Sequence, residues 1–342
     1  MRIRTVVAST LVVLALAFGG ILSASAQGNS LAEAGFPELS LTLTDAGVEG
    51  LAAETTAGWN LVSFTNSVTA SGDPFEDSWS IDFILLPEGM TADDVVAAYG
   101  AAFAGPPEGE ASPEAMEGMD MGSPAAEAAP ADPLGFLYET YLAGGPGALQ
   151  GETAQAAVYL QPGDYAVLAA GFGAPATITV TGEADMASPA AAGVIADATI
   201  TETGTSGSFD FMAASLPTGP AVIEIVNDSD QPHFIFAVRS DVPYTDDEVI
   251  ALLSEEEPPA DAASPVAASP EAAAAGGPPV SPGFITGTQS PQSTQYISVD
   301  LEPGYYILLC FVGDPMMGGL PHSFAGMIEV VPAGDAAATP AA

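Results

Sequence analysis

The sequence predicts an all-β protein of two β-sandwich domains, and three observations carry that expectation. Short apolar stretches with two-residue periodicity recur along the chain, as half-buried strands require. The pattern of strands and turns occurs twice. Stretches of Ala, Pro, Gly, Ser and acidic residues, with no aromatic residue, interrupt each copy and follow the second.

Met1-Arg2-Ile3-Arg4 is a short basic start, and residues 6–22 are apolar and rich in small side chains. Ala24-Ser25-Ala26 fits a small-x-small cleavage site before Gln27, so residues 1–26 read as a cleaved signal peptide and the protein as exported. The flank that follows carries no cation, unlike that of a membrane anchor.

The first domain spans residues 27–182. It carries WNLVSFTN (59–66), then SIDFILLPEGMTADDVVAAY (80–99), AQAAVYLQPGDYAVLAAGFG (154–173) and a closing strand, ATITVTG (176–182). Residues 183–194 form a linker. The second domain, residues 195–331, repeats the plan with AVIEIVND (221–228), PHFIFAVRSDVPYTDDEVIALL (232–253), STQYISVDLEPGYYILLCFVG (293–313) and GMIEVV (326–331). Pro162-Gly163 and Tyr165 recur at Pro303-Gly304 and Tyr306, all at an offset of 141. Thr91 and Thr245 stand where hydroxyls cap a helix whose first turn holds aspartates. Short strands, Pro-Gly turns and one helix per half give Greek-key sandwiches. The inserts 105–133 and 255–282 and the tail 332–342 bury too little apolar surface to offset their ordering entropy, and are expected to be disordered.

Charge excludes several functions. The chain holds 3 basic and 44 acidic residues, and two of the three arginines lie in the signal segment. Without it, one Arg, no Lys and two His remain. Binding to nucleic acid or an anionic membrane surface lacks the cations it needs. A steered partner is expected to be cationic.

The chemistry-bearing residues concentrate in the second half. Cys310 is the one cysteine, and both histidines, His233 and His322, follow a proline there. At the matching places the first half has Asp82 and Ala169. With Met327, these side chains offer two imidazoles, a thiolate and a thioether, a soft set that suits copper; zinc accepts the Cys and both His, whereas magnesium and calcium want oxygens. Each residue also has an ordinary reading: Cys310 and Met327 as core, His233 as a turn residue, His322 as a loop residue. Met116, Met119 and Met121 form a second thioether cluster in the first insert. No nucleophile elbow is present, and two histidines cannot build a trinuclear copper cluster, so no catalysis is expected.

The order Val226-Asn227…Pro232-His233, then Gly304-Tyr305-Tyr306-Ile307-Leu308-Leu309-Cys310, then Pro321-His322-Ser323-Phe324-Ala325-Gly326-Met327, resembles the cupredoxin (blue copper) family, with Val226 in place of an aromatic. The resemblance covers about residues 195–331, and residues 35–182 look like a ligand-free copy. It implies tandem cupredoxin-like β-sandwiches. It also implies one type 1 copper ion held by His233, Cys310, His322 and the axial Met327, one-electron transfer, and a cationic redox or copper-exchange partner. Eleven residues, 311–321, separate Cys310 from His322, against about two to four in familiar members, and Asp314-Pro315 and Gly318-Gly319 supply the turns that return His322. The alternative is a metal-free extracellular structural or interaction protein on the same scaffold.

Overall fold

The computed structural model describes residues 30–103, 135–169, 172–184, 188–255 and 280–334. The signal segment, the insert 105–133 with its three methionines, and most of 255–282 and 332–342 lie outside the described residues. The first half forms β1 (Glu38–Thr44), β2 (Gly47–Glu49), β3 (Glu54–Thr56), β4 (Gly58–Asn66), β5 (Ser78–Ser80), β6 (Asp82–Leu85), α1 (Ala92–Phe103), α2 (Gly135–Glu139), β7 (Gly147–Leu149), β8 (Thr153–Leu160), β9 (Gly163–Ala169) and β10 (Phe172–Thr181). The second forms β11 (Ala198–Thr205), β12 (Ser208–Met212), β13 (Gly219–Asn227), β14 (Phe236–Ser240), α3 (Asp246–Glu255), β15 (Val280–Ile285), β16 (Ser293–Leu301), β17 (Gly304–Leu309), β18 (Gly313–Asp314), β19 (Leu320–Pro321) and β20 (Ile328–Ala333).

Local structure follows the sequence closely. Burial alternates along β1 and β12, while the bulky β9 and β17 are buried at nearly every residue. Helices α1 and α3 each start with a reciprocal cap, and α2 is a further short helix in the first half, where one per half was expected. Thr91 N–H and Oγ1 donate to Asp94, whose own N–H returns to Thr91 Oγ1, and Thr245 and Glu248 do the same. The repeated tyrosines fasten identical corners: the Tyr165 hydroxyl donates to the Gln161 carbonyl and Tyr306 to that of Glu302, each at 3.1 Å.

The expected pair of Greek-key sandwiches does not form. Eleven strands make an unbroken path, β12-β11-β13-β16-β8-β4-β1-β2-β10-β9-β6, which passes from the second half to the first where Ile297 of β16 pairs with Ala156 of β8. A second sheet, β15-β14-β17-β20, lies beside it. One hydrophobic cluster runs through both halves, from Phe64, Phe83 and Tyr165 to Ile225, Ile297 and Leu308. The chain is therefore one continuous β-array. It coils in the manner of a β-solenoid at its parallel pairs, β1 with β4, β11 with β13, and β10 with β2 and β3, among neighbours that pair antiparallel. The physical reason is that two-residue periodicity fixes a strand's buried face but not its neighbour. The open edges of β8 and β16 are covered by pairing with each other. Trp59 seals the crossing, with its ring centroid 5.6 Å from those of Tyr159 and Tyr296. Residues 188–194, in the expected linker, form a short 3-10 turn over Pro189–Ala192 and bury Val194 against Leu61 and Tyr296.

A second junction lies at residues 286–290. Gly287 N–H donates to the Gly145 carbonyl at 2.8 Å, Gly144 N–H to Thr288 at 2.9 Å, and Ser290 N–H to Leu142 at 2.9 Å. Arg239, the only basic residue beyond position 4, lies in β14 with its guanidinium on Asp241 and the Pro303 carbonyl.

Close backbone approach demands glycine at this junction: a Cβ on Gly287 would lie 2.4 Å from the Ile81 carbonyl oxygen and 2.8 Å from Gly145 N. Gly287→Ala is expected to cost about 1–3 kcal/mol, read as a lowered urea midpoint with unchanged slope, because backbone on both sides must move.

Candidate metal centre

The three ligand-type side chains converge from separate segments. His233 sits in the loop between β13 and β14, where its backbone exchanges both hydrogen bonds with Gln289 at 3.1 and 2.8 Å. Asn227 fixes that loop from the end of β13: its amide donates to the carbonyls of Gln231 (2.8 Å) and Gln289 (3.2 Å), and its oxygen accepts from Ser229. Asn66, at the matching place in the first half, bonds in the same way to the carbonyls of Asp77 and Ala148. Cys310 follows β17 directly and is fully buried.

The long loop returns as its turn residues require. The Asp314 side chain accepts from Met316 N–H, Gly319 N–H donates to the Asp314 carbonyl, and Gly318 and Gly319 adopt positive φ of 71° and 85°. β18 and β19 pair, and His322 N–H donates to the Val312 carbonyl at 2.9 Å. His322 then opens a 3-10 turn, His322–Ala325. Met327 follows that turn, with its N–H on the His322 carbonyl at 2.9 Å and its fully buried side chain in the core cluster that holds Cys310.

His233 Nδ1 and His322 Nδ1 lie 3.0 Å apart, at 3.5 and 3.6 Å from Cys310 Sγ. A point equidistant from these three atoms is about 2.0 Å from each, close to the bond length from nitrogen or sulfur to a transition metal. The donor orientation is set from outside. His322 Nε2 meets Gln231 Oε1 at 2.9 Å, so Nε2 carries the hydrogen and Nδ1 keeps its lone pair for the centre. Gln231 Nε2 donates in turn to Asp314 Oδ1 at 3.3 Å. His233 Nε2 is buried with no partner, and the ring is held by packing, with Phe209 at centroid distances of 4.9 Å from His233 and 4.4 Å from His322. The backbone N–H groups of Phe234 and Val312 donate to the Cys310 sulfur, as suits a thiolate.

Burial governs the protonation of all three. Desolvation holds His233 well below the usual imidazole range, helped by His322, and lowers His322 to about 4, with Asp314 opposing. The Cys310 thiol is pushed up to about 12 by desolvation, against the two N–H donors. Glu202, fully buried on β11 and hydrogen-bonded to Gln289 Nε2 at 2.8 Å, is raised to about 8 by burial. Without metal the centre is uncharged, and a metal ion entering it displaces one proton, from sulfur. This buried trio is able to chelate one metal ion.

The matching residues of the first half hold no such donors. Asp82 is buried at the start of β6, with its carboxylate on Thr288 N–H, and Ala169 ends β9 in the core. Gln231 and Phe209 were not legible as site residues. The one sequence signal was the position of Gln231 two residues before His233.

No protein family matches the chain, and no curated protein does. Among solved structures, dithionite-reduced auracyanin from the photosynthetic bacterium Roseiflexus castenholzii is 20% identical, over 41% of this chain and 99% of that one, with a TM-score of 0.23. A multicopper oxidase from Pediococcus acidilactici is 10% identical, over 90% of this chain and 61% of that one, with a TM-score of 0.23. Copper nitrite reductase from Nitrosomonas europaea is 10% identical, over 87% and 94%, with a TM-score of 0.21. Superpositions this poor carry no argument. The sheet topology, not these superpositions, corrects the cupredoxin resemblance read from the ligand motif: a sheet that crosses both halves is not a tandem of such domains.

Because Cys310 is protonated and both imidazoles are neutral near pH 7, binding of zinc(II) or cobalt(II) should release one proton per ion. Affinity should then rise about tenfold per pH unit between pH 7 and 9 and fall more steeply as His322 protonates near pH 4. Calorimetry in buffers of different ionisation enthalpy measures the proton count. Gln231→Leu should weaken binding about 10- to 100-fold, since it frees the His322 ring.

Proposed function

We propose that the protein binds a single copper ion at His233, Cys310 and His322 and transfers single electrons through it. The observation that carries this reading is the small triangle of two imidazole nitrogens and one sulfur, all buried and oriented by second contacts. One soft thiolate with two borderline imidazoles supports both copper oxidation states, and zinc, which the same atoms accept, has no redox chemistry. Met327, in the same core cluster as Cys310, would add a weakly held thioether in this reading, and the site would then be type 1-like.

The chain's own residues do the remaining work. Phe234 and Val312 N–H groups temper the sulfur's charge, Gln231 holds the His322 tautomer, and Phe209 excludes water from both rings. A packed site that changes little between oxidation states suits rapid electron exchange. Leu320 and Phe324 flank His322 and, with Met316 and Met317, present apolar side chains to solvent. The partner is a cationic redox or copper-exchange protein that covers this apolar rim, drawn by the acidic chain. The protein is exported, with cleavage near Gln27, and acts without catalysing a reaction of its own.

Copper(II) added to the purified protein should bind one to one and give an intense sulfur-to-copper visible band. Cys310→Ser should abolish the band, whereas Met327→Leu should keep stoichiometry and shift the reduction potential. A colourless complex with ordinary tetragonal hyperfine splitting would remove the electron-transfer reading.

A further inference from the structure

A second site lies between the two halves, independent of the metal reading. A cavity of about 250 Å³ is walled by Trp79 from β5 and by Phe234, Phe236 and Phe311 from the other half, with Tyr99 and Asp82 also lining it. Ile285 completes the apolar lining, Ser78, Ser80 and Thr288 add hydroxyls, Asp82 is the one charged group, and the size admits only a small organic molecule, below the ~300–1,000 Å³ of drug-sized pockets.

Asp82 is 1% exposed. Its carboxylate accepts from Thr288 N–H at 2.5 Å and from the Tyr99 and Thr288 hydroxyls, all neutral donors. No cation balances it: Arg239, the one basic residue among those described, is bound to Asp241 and Glu302. The indole nitrogen of Trp79 is also buried without a hydrogen-bond partner. Burial lifts Asp82 to about 6, so the acid is still mostly ionised at neutral pH.

A buried carboxylate without a counter-ion, in a chamber of aromatic rings, recognises positive charge carried on an apolar body. The ring faces attract a cation through their quadrupoles, and the acid supplies the opposite charge. A hard metal ion is unsuited, because it favours several carboxylate or carbonyl oxygens and this lining offers a single carboxylate among aromatic rings and neutral hydroxyls. We propose that this cavity binds a small organic monocation of the quaternary or tertiary ammonium class, with Asp82 as counter-ion and Trp79, Phe234, Phe236 and Phe311 as the cage. The bland role of Asp82, tying the Thr288 segment to β6, predicts no ligand at all.

Choline and its neutral carbon isostere, 3,3-dimethyl-1-butanol, separate these roles. In the full chain with Trp59→Phe, Trp79 is the sole tryptophan. Titration at constant ionic strength should give saturable change in its fluorescence with choline and at least tenfold weaker binding of the isostere. Asp82→Asn should weaken choline at least tenfold and leave the isostere unchanged. Phe236→Leu, which keeps every Asp82 hydrogen bond, should weaken choline several-fold, and it decides the matter if Asp82→Asn fails to fold. The proposal is overturned if choline gives no saturable response, if the isostere binds as well as choline, if folded Asp82→Asn binds choline unchanged, or if Phe236→Leu does.

Discussion

The five residues 286–290 carry hydrogen bonds in two directions, and the rest of the molecule depends on that double attachment. Gln289 pairs with the backbone of His233 on one side, and an isolated bridge joins it to Ala143 on the other. Gly287 and Thr288 bond the Gly144-Gly145 backbone of the first half, and Thr288 also meets Asp82. The loop that presents a metal-type donor is therefore braced against the first half, not only against its own. Such bonds are each worth about 0.5–1.5 kcal/mol net, but leaving their buried partners unmet costs more. The segment thereby ties the His233 loop to the first half.

The donor centre is built by packing and dipoles rather than by charge. Two imidazoles and a thiol are kept neutral by burial, with the amide of Gln231, the ring of Phe209 and two backbone N–H groups setting their directions. A neutral arrangement avoids the cost of burying unpaired ions in a chain with almost no cations to pair them.

Much of the local structure was legible in the sequence, and the long-range pairing was not. Period-two patterning located β13 and β16, a threonine followed by aspartates gave the caps of α1 and α3, and Pro-Gly followed by Tyr at a fixed offset gave both corners. The ligand-type residues His233, Cys310 and His322 were visible as the only side chains of their kind, and the Asp314 and Gly318-Gly319 turns explain how eleven residues still bring His322 back. What could not be read was which edge meets which. Nothing in AQAAVYL or QYISV states that β8 and β16 pair, because both sequences suit any apolar neighbour of matching register. Gln231 was equally silent, since a glutamine reveals its partner only once the chain is folded.

Arg239 gives the molecule an unusual relation to proteolysis. Beyond residue 4, trypsin finds a single target bond in the whole sequence, Arg239 to Ser240. That bond lies in β14, paired with β15 on one side and β17 on the other, and the guanidinium that the protease must grip is occupied by Asp241 and the Pro303 carbonyl. Cleavage thus requires the β14 ladder to open, and β17 leads straight into Cys310. Tryptic nicking becomes a one-bond clock for the opening of the sheet that carries the thiol, slowed by whatever ligand holds that sheet closed.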